Sequence, residues 1–271
     1  MAFASRTVRA NGVDLNVIVE GEGPDVLLVH GFPDDHTVWR EQIPALVAAG
    51  YRVVAPDTRG CGQSAVPVRE RDYNIDHLVR DLVAVLDALG IEKVRLVGHD
   101  WGAVQSWYFA MRHPERVDRY VALSVGHPDA YARGGIVQKL RAYYIAFFQL
   151  RGVAEALLSC FGFALWKRMF AFPEEFEACK ARLARPGRLT AGINYYRANI
   201  GMIRPRDYPK VRVPVVGIWS DGDRFLVERQ MKESARYCDA GFRYERVEGA
   251  NHWLQLTAPG KVNPLLLDAL R

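Results

Sequence analysis

A β-branched run at residues 94–97 leads directly into Gly98-His99-Asp100-Trp101-Gly102, and residues 103–112 then follow without glycine or proline. A strand that gives way to a helix in so few residues demands a sharp turn. The two glycines flanking Asp100 suit a turn whose central residue takes a strained backbone while neighbouring chains come close. A break at Leu89-Gly90 and a stop at His113-Pro114 frame the unit and put Asp100 at the tip between strand and helix. An ordinary turn capped by the Asp100 carboxylate fits the same pattern, because aspartate is a good N-cap.

A carboxylate at this tip restricts the chemistry open to it, since turns of this kind more often carry serine. Serine attacking a saturated carbon would leave an ether that water does not readily cleave. Aspartate attacking the same carbon leaves an ester that an activated water can open. Asp100 therefore points to substrates with an electrophilic sp3 carbon, such as epoxides or haloalkanes.

Strands are expected at residues 15–20, 26–30, 52–55, 94–97, 117–123, 215–219 and 242–247, with helical patterns between most of them. The clearest helix, residues 75–89, repeats Leu78, Val79, Leu82, Val85, Leu86 and Leu89 at 3.6-residue spacing. Such alternation builds an α/β fold with a largely parallel sheet covered on both faces. From about residue 127 to 209 the rhythm stops, and an aromatic, basic stretch reads as helices at 137–150, 153–161, 173–184 and 189–199. The expected organisation is a core at 1–127 and 210–271 with a helical cap at 128–209 inserted into it.

With 271 residues, 49% hydrophobic and 25% charged, the chain has material for a large core. Its formal net charge of +5 is spread rather than gathered into a stripe, which argues against a nucleic-acid partner. Cys61, Cys160, Cys179 and Cys238 form no CxxC pair and read as reduced thiols rather than disulfides or metal ligands. The first residues lack an apolar signal-like segment, and the longest apolar stretch, residues 153–166, is interrupted by Glu155, Ser159 and Gly162. Neither a signal peptide nor a membrane span is expected, and the cytoplasm is the expected location.

Four segments together resemble the α/β-hydrolases of the epoxide hydrolase and haloalkane dehalogenase group, over essentially the full chain. His30-Gly31-Phe32-Pro33 is similar to that group's HGxP element, and Asp57-Thr58-Arg59-Gly60-Cys61-Gly62-Gln63-Ser64 to its DxRGxGxS segment. Gly98 to Gly102 is similar to its nucleophile motif, and Gly249-Ala250-Asn251-His252-Trp253 to the segment carrying its histidine. The resemblance implies the α/β-hydrolase fold, a mostly parallel central sheet flanked by helices with an inserted helical cap. It implies Asp100 as nucleophile and His252, after the last strand, as the base that activates water. A base of this kind needs an acid to fix it. Asp221 and Asp223 both follow the strand at 215–219, and the resemblance of Trp219 to Asp223 to a WGxxD pattern favours Asp223. Backbone N–H groups of Trp101 and Phe32 would meet the developing oxyanion, and both side chains would line the pocket.

Tyr144-Ile145-Ala146-Phe147-Phe148-Gln149 and Asn194-Tyr195-Tyr196-Arg197-Ala198-Asn199 resemble the segments holding the two lid tyrosines of soluble epoxide hydrolases. That implies Tyr144 and Tyr196 as donors to the epoxide oxygen, with Tyr143 and Tyr195 as direct competitors. A phenol of pKa about 10 stays protonated at neutral pH and suits the task. The alternative is a haloalkane dehalogenase, which needs a second halide donor beside Trp101; Phe32 excludes the asparagine used in some relatives and leaves Trp166. A fluoroacetate-type relative would carry Arg in place of Trp101. A retired scaffold that only binds is a further reading, opposed by the intact nucleophile, base and acid. The expectation is an epoxide hydrolase needing no metal or organic cofactor. Its partners would be a lipophilic epoxide and water, without nucleic acid or membrane, and with a homodimer left open.

Overall fold

The computed structural model describes residues 3–170 and 172–271. Its strands are β1 (Ser5–Ala10), β2 (Val13–Glu20), β3 (Asp25–Val29), β4 (Arg52–Pro56), β5 (Val94–His99), β6 (Val117–Leu123), β7 (Val215–Gly222) and β8 (Phe242–Asn251). Its helices are α1 (Gln42–Ala48), α2 (Ile75–Ala88), α3 (Trp101–Arg112), α4 (Pro128–Ala132), α5 (Gly135–Arg141), α6 (Tyr143–Phe148), α7 (Val153–Phe170), α8 (Phe176–Leu183), α9 (Arg188–Ala198), α10 (Glu228–Glu233), α11 (Leu254–Thr257) and α12 (Pro259–Ala269). The strands form one sheet in the order β1-β2-β4-β3-β5-β6-β7-β8. The β1–β2 and β2–β4 pairings are antiparallel and all the others parallel, and the chain has the α/β-hydrolase fold.

The parallel strands read as buried runs because both faces of the sheet are covered; Val26, Leu27, Leu28 and Val29 of β3 are all buried. On one face α2 buries Leu78, Val79, Leu82, Val85 and Leu86, each such side chain contributing about 1.5–3 kcal/mol. Asn74 starts that helix by accepting the Asp76 N–H at 3.0 Å. Trp107 and Phe109 of α3 join the same layer, while Ile43 and Leu46 of α1 and Val262 and Leu266 of α12 fill the other.

All seven strands read from the sequence are present, and β1 is the one it lacked. Ser-Arg-Thr-Val-Arg-Ala is polar, buries only Val8 and Ala10, and pairs with β2 alone at the sheet edge. Its signal is Asn11-Gly12, both at positive φ (45° and 80°), the pair favoured in two-residue hairpin turns.

Helices α4 to α9 and a 3-10 turn, Ile200–Ile203, lie between β6 and β7. Here helix boundaries differ from expectation. Residues 137–150 are two helices, α5 and α6, parted at Ala142. The helix expected at 153–161 ends close to that point, where Cys160, Phe161, Gly162 and Phe163 leave the helical backbone, and a further helical stretch that was not expected carries α7 on to Phe170. The segment at 173–184 opens as a 3-10 turn before becoming α8. Among the described residues, no helix is long and apolar enough to cross a membrane.

Candidate active site

At the end of β5 the chain turns sharply, with Asp100 at φ 51° and ψ −124°, a conformation costly for any residue with a Cβ. The tightness is set by Gly102, where a Cβ would lie 1.9 Å from the Val29 carbonyl oxygen, and by Gly98, where it would lie 2.6 Å from Ser106 Oγ. The Asp100 side chain makes no capping hydrogen bond to α3. Its Oδ1 accepts the Phe32 N–H at 2.8 Å, and its Oδ2 lies 3.4 Å from His252 Nε2. Trp101, at the first position of α3, has a backbone N–H that no intrahelical carbonyl satisfies.

His252 follows β8, and its Nδ1 meets Asp223 Oδ2 at 2.8 Å. The other oxygen of Asp223 accepts the backbone N–H groups of Phe225 (2.8 Å) and Leu226 (2.9 Å), so the carboxylate is fixed before it fixes the ring. Asp221 instead faces solvent, where it accepts the Gly249 N–H and lies 3.6 Å from Arg246. Burial disfavours a charged His252, yet Asp223 and Asp100 outweigh that cost and hold its pKa up at about 10. Burial likewise pushes Asp100 upward, but the hydrogen bond and charge of His252, with smaller help from the Phe32 N–H, leave it below the usual carboxylate range.

Tyr144 and Tyr196 descend from α6 and α9 into the cleft above Asp100 and Trp101, with ring centroids 5.7 Å apart at 85°. Burial raises both phenols well above their ordinary value, so they enter the cleft as donors. Their competitors point elsewhere. Tyr143 is exposed to solvent, and the Tyr195 hydroxyl lies 2.9 Å from Thr58 Oγ1 and donates to the Arg59 carbonyl at 2.7 Å. Consecutive helical residues diverge by about 100°, which separates an anchoring tyrosine from a cleft tyrosine. Most of the remaining wall is apolar, with Val104, Val125, Ile145, Met202 and Leu226, and Tyr131 and Asn199 are its other polar side chains. Trp166 lies behind Phe32, its ring 5.4 Å from that of Phe32, and lines a separate small pocket with Cys179.

Several residues near the site were not singled out from the sequence. His99 Nε2 donates to the His252 carbonyl at 2.9 Å, and Ser124 Oγ donates to the same oxygen at 3.0 Å. Burial, reinforced by the charge of His252, lowers the His99 pKa to about 3 and keeps its ring neutral. Asp34 accepts from Trp253 Nε1 at 2.8 Å and lies 3.4 Å from Arg182, joining the loop after β3 to the loop after β8 and to α8; burial raises its carboxyl to about 7. Tyr131 of α4 is a third phenol in the cleft wall. Ser124 and Tyr131 lie outside the motifs, so position in the fold alone reveals them. Among the described residues, Asp35, His36 and Asp57 group as potential metal ligands. Asp57 is already occupied there by the N–H groups of His36 and Gln63, the Asn16 amide and the His36 ring, which fits a loop staple better than an ion site.

The model of the alpha/beta hydrolase fold family matches residues 24–259. The AB hydrolase superfamily protein YfhM of Bacillus subtilis (strain 168) is 35% identical, over 97% of this chain and 96% of that protein. Epoxide hydrolase 3 of Xenopus tropicalis is 34% identical over 97% of this chain and 76% of its own length. The crystal structure of epoxide hydrolase VrEH1 from Vigna radiata superposes with a TM-score of 0.85 at 34% identity, covering 98% of this chain and 96% of that one. The chain belongs to the α/β-hydrolase superfamily and, within it, to the epoxide hydrolase family.

Proposed function

We propose that this chain converts epoxides to vicinal diols through a covalent ester on Asp100. The observation that carries the reading is a carboxylate held between the Phe32 N–H and the His252 ring, beneath two protonated phenols in an apolar cleft. Helices α4 to α9 act as the cap. Tyr144 and Tyr196 donate hydrogen bonds to the epoxide oxygen while the Asp100 oxygen not held by Phe32 attacks a ring carbon. The ring C–O bond breaks, the oxygen takes a proton from one phenol, and a hydroxyalkyl ester remains.

Forming that ester removes the charge of Asp100, one of the two that hold the proton on His252. The pKa of His252 falls, and its proton passes to the phenolate, so the ring is neutral when a base is needed. His252, oriented by Asp223, takes a proton from water, and the hydroxide adds to the Asp100 carboxyl carbon. The oxyanion on Oδ1 is met by the N–H groups of Phe32 and Trp101, each worth about 2.7–4 kcal/mol. Collapse breaks the ester C–O bond, the leaving oxygen takes the Asp100 carboxyl proton to complete the diol, and the restored carboxylate again faces a protonated His252.

Halide release would need a second donor beside Trp101, and Trp166 stands behind Phe32 instead of in the cleft. Four unpaired cysteines support a reducing, cytoplasmic setting. The test is His252→Gln incubated with styrene oxide. The intact protein should gain the mass of one epoxide, on the peptide holding Asp100, and Asp100→Ala should gain none. An unmodified His252→Gln protein from an enzyme that forms diol would refute the ester.

A further inference from the structure

Among the described residues, most of the large apolar side chains left exposed belong to the helical insertion, and two of them line the cleft. Ile136, Leu140 and Tyr143 stand at i, i+4 and i+7 with 68%, 66% and 56% exposure, and Val137 lies beside them. α5 buries only Gln138. Across the mouth, Ile200 and Ile203 line the cleft and remain open to solvent. α4 links them, since it directly precedes α5 in the chain and is bonded to the segment that follows Ile203. The Arg206 N–H binds Asp129 of α4 at 3.0 Å, α4 contributes Pro128 and Tyr131 to the cleft, and α6 contributes Ile145.

The charges on this surface have one dominant sign. No acidic residue lies between Asp129 and Glu155, whereas Arg133, Lys139, Arg141 and Arg151 do. Arg204 and Arg206 are exposed directly after Ile203, followed by the single carboxylate of Asp207. Asp129 is buried and paired with Arg133, and Arg141 is turned inward to the Asp223 and Leu226 carbonyls. Lys139, Arg204 and Arg206 remain as an outward cationic rim. A second copy of the chain would bring like charges together across an isologous contact, whereas an anionic bilayer complements them while accepting the isoleucines and leucine.

We propose that the cleft mouth is an interfacial surface that docks on anionic lipid bilayers, so that a lipophilic substrate enters the cleft from the lipid phase. Docking of this kind is peripheral and needs no membrane span. It also differs from the sequence expectation of a chain without a membrane partner, which rested on apolar run length.

The experiment measures co-sedimentation of the intact protein with phosphatidylcholine vesicles and with vesicles of phosphatidylcholine and phosphatidylglycerol in a two-to-one ratio. Partitioning should be about tenfold or more stronger on the anionic vesicles. It should weaken at high salt and be lost in Ile136→Glu/Leu140→Glu, whose turnover of dissolved styrene oxide stays at the wild-type rate. Equal binding to both vesicles, no binding to either, or full binding by the double variant would overturn the proposal. So would a dimer in light scattering that the double variant dissolves, since that assigns the patch to a second copy. Binding is read without turnover, so its failure leaves the epoxide hydrolase reading intact, and an enzyme inert towards epoxides leaves the binding result standing.

Discussion

β5, β7 and β8 each lead directly into a charged residue of the site, whereas α4 to α9 supply phenols and apolar walls from within helices. Asp100, Asp223 and His252 are held by backbone N–H groups, by one another, and in the case of His252 through its own carbonyl. Tyr144 and Tyr196 are held by packing, ring against ring. The sheet thus supplies fixed charge, and the insertion supplies a low-dielectric roof with two donors. On the proposed mechanism the two regions govern different bonds: the insertion acts when the ester forms, and the pair behind Asp100 acts when it is hydrolysed.

That division can be broken experimentally. Asp100→Ala should lower kcat by on the order of 10^6-fold with the fold intact by circular dichroism, and substantial residual diol formation would separate the sheet from the chemistry. Asp223→Asn should cost about 10^4-fold in kcat through the wrong His252 tautomer. Rapid quench should then find ester accumulating, and its absence would place the defect in the wrong half-reaction. Tyr144→Phe/Tyr196→Phe should slow ester formation by roughly 10^2- to 10^4-fold without slowing hydrolysis of ester already formed, as read by single-turnover fluorescence. An equal effect on both steps would erase the contrast.

The smallest effect concerns stability. His252 is raised from 6.5 to about 10 in the folded state, so its contribution is complete below pH 6.5 and is lost as pH rises through 10. Between pH 7 and pH 10, the Tm of the wild type should fall roughly 5 °C more than that of His252→Gln by calorimetry. Parallel curves would mean that the ring is not charged in the resting protein.

The same contrast governs how far the sequence could be read. Buried β-branched runs and the 3.6-residue repeat of α2 carry strong local signals because burial covers both faces of the strands and one face of the helix. β1 escaped because an edge strand with one partner needs few apolar residues. Within the insertion, α5 and α6 present little buried surface, so periodicity could not show their break at Ala142. Asp100 was readable because the turn that exposes it needs glycines in sequence, and the geometry removes the simple capping alternative. His99 and Ser124 were not, because they act on the backbone of a residue about 150 and 130 positions away, and only the closed sheet brings them there.

The bond from the Tyr195 hydroxyl to Arg59 has a consequence for motion. Asn199 reinforces it by accepting the Ile75 N–H and donating to the Tyr73 carbonyl, and Arg188 by donating to the Cys61 and Ser64 carbonyls. α9 is therefore stitched to the sheet layer along its length, and α6 leans on it through Tyr144, Phe148 and the bond from Arg197 to the Phe148 carbonyl, while α5 buries only Gln138. In hydrogen exchange α9 should open with the core and α5 well before it. Tyr196 thus stands on an anchored helix and Tyr144 is set against it by ring packing, so the geometry of both donors is tied to the core and the loosest edge of the roof is α5.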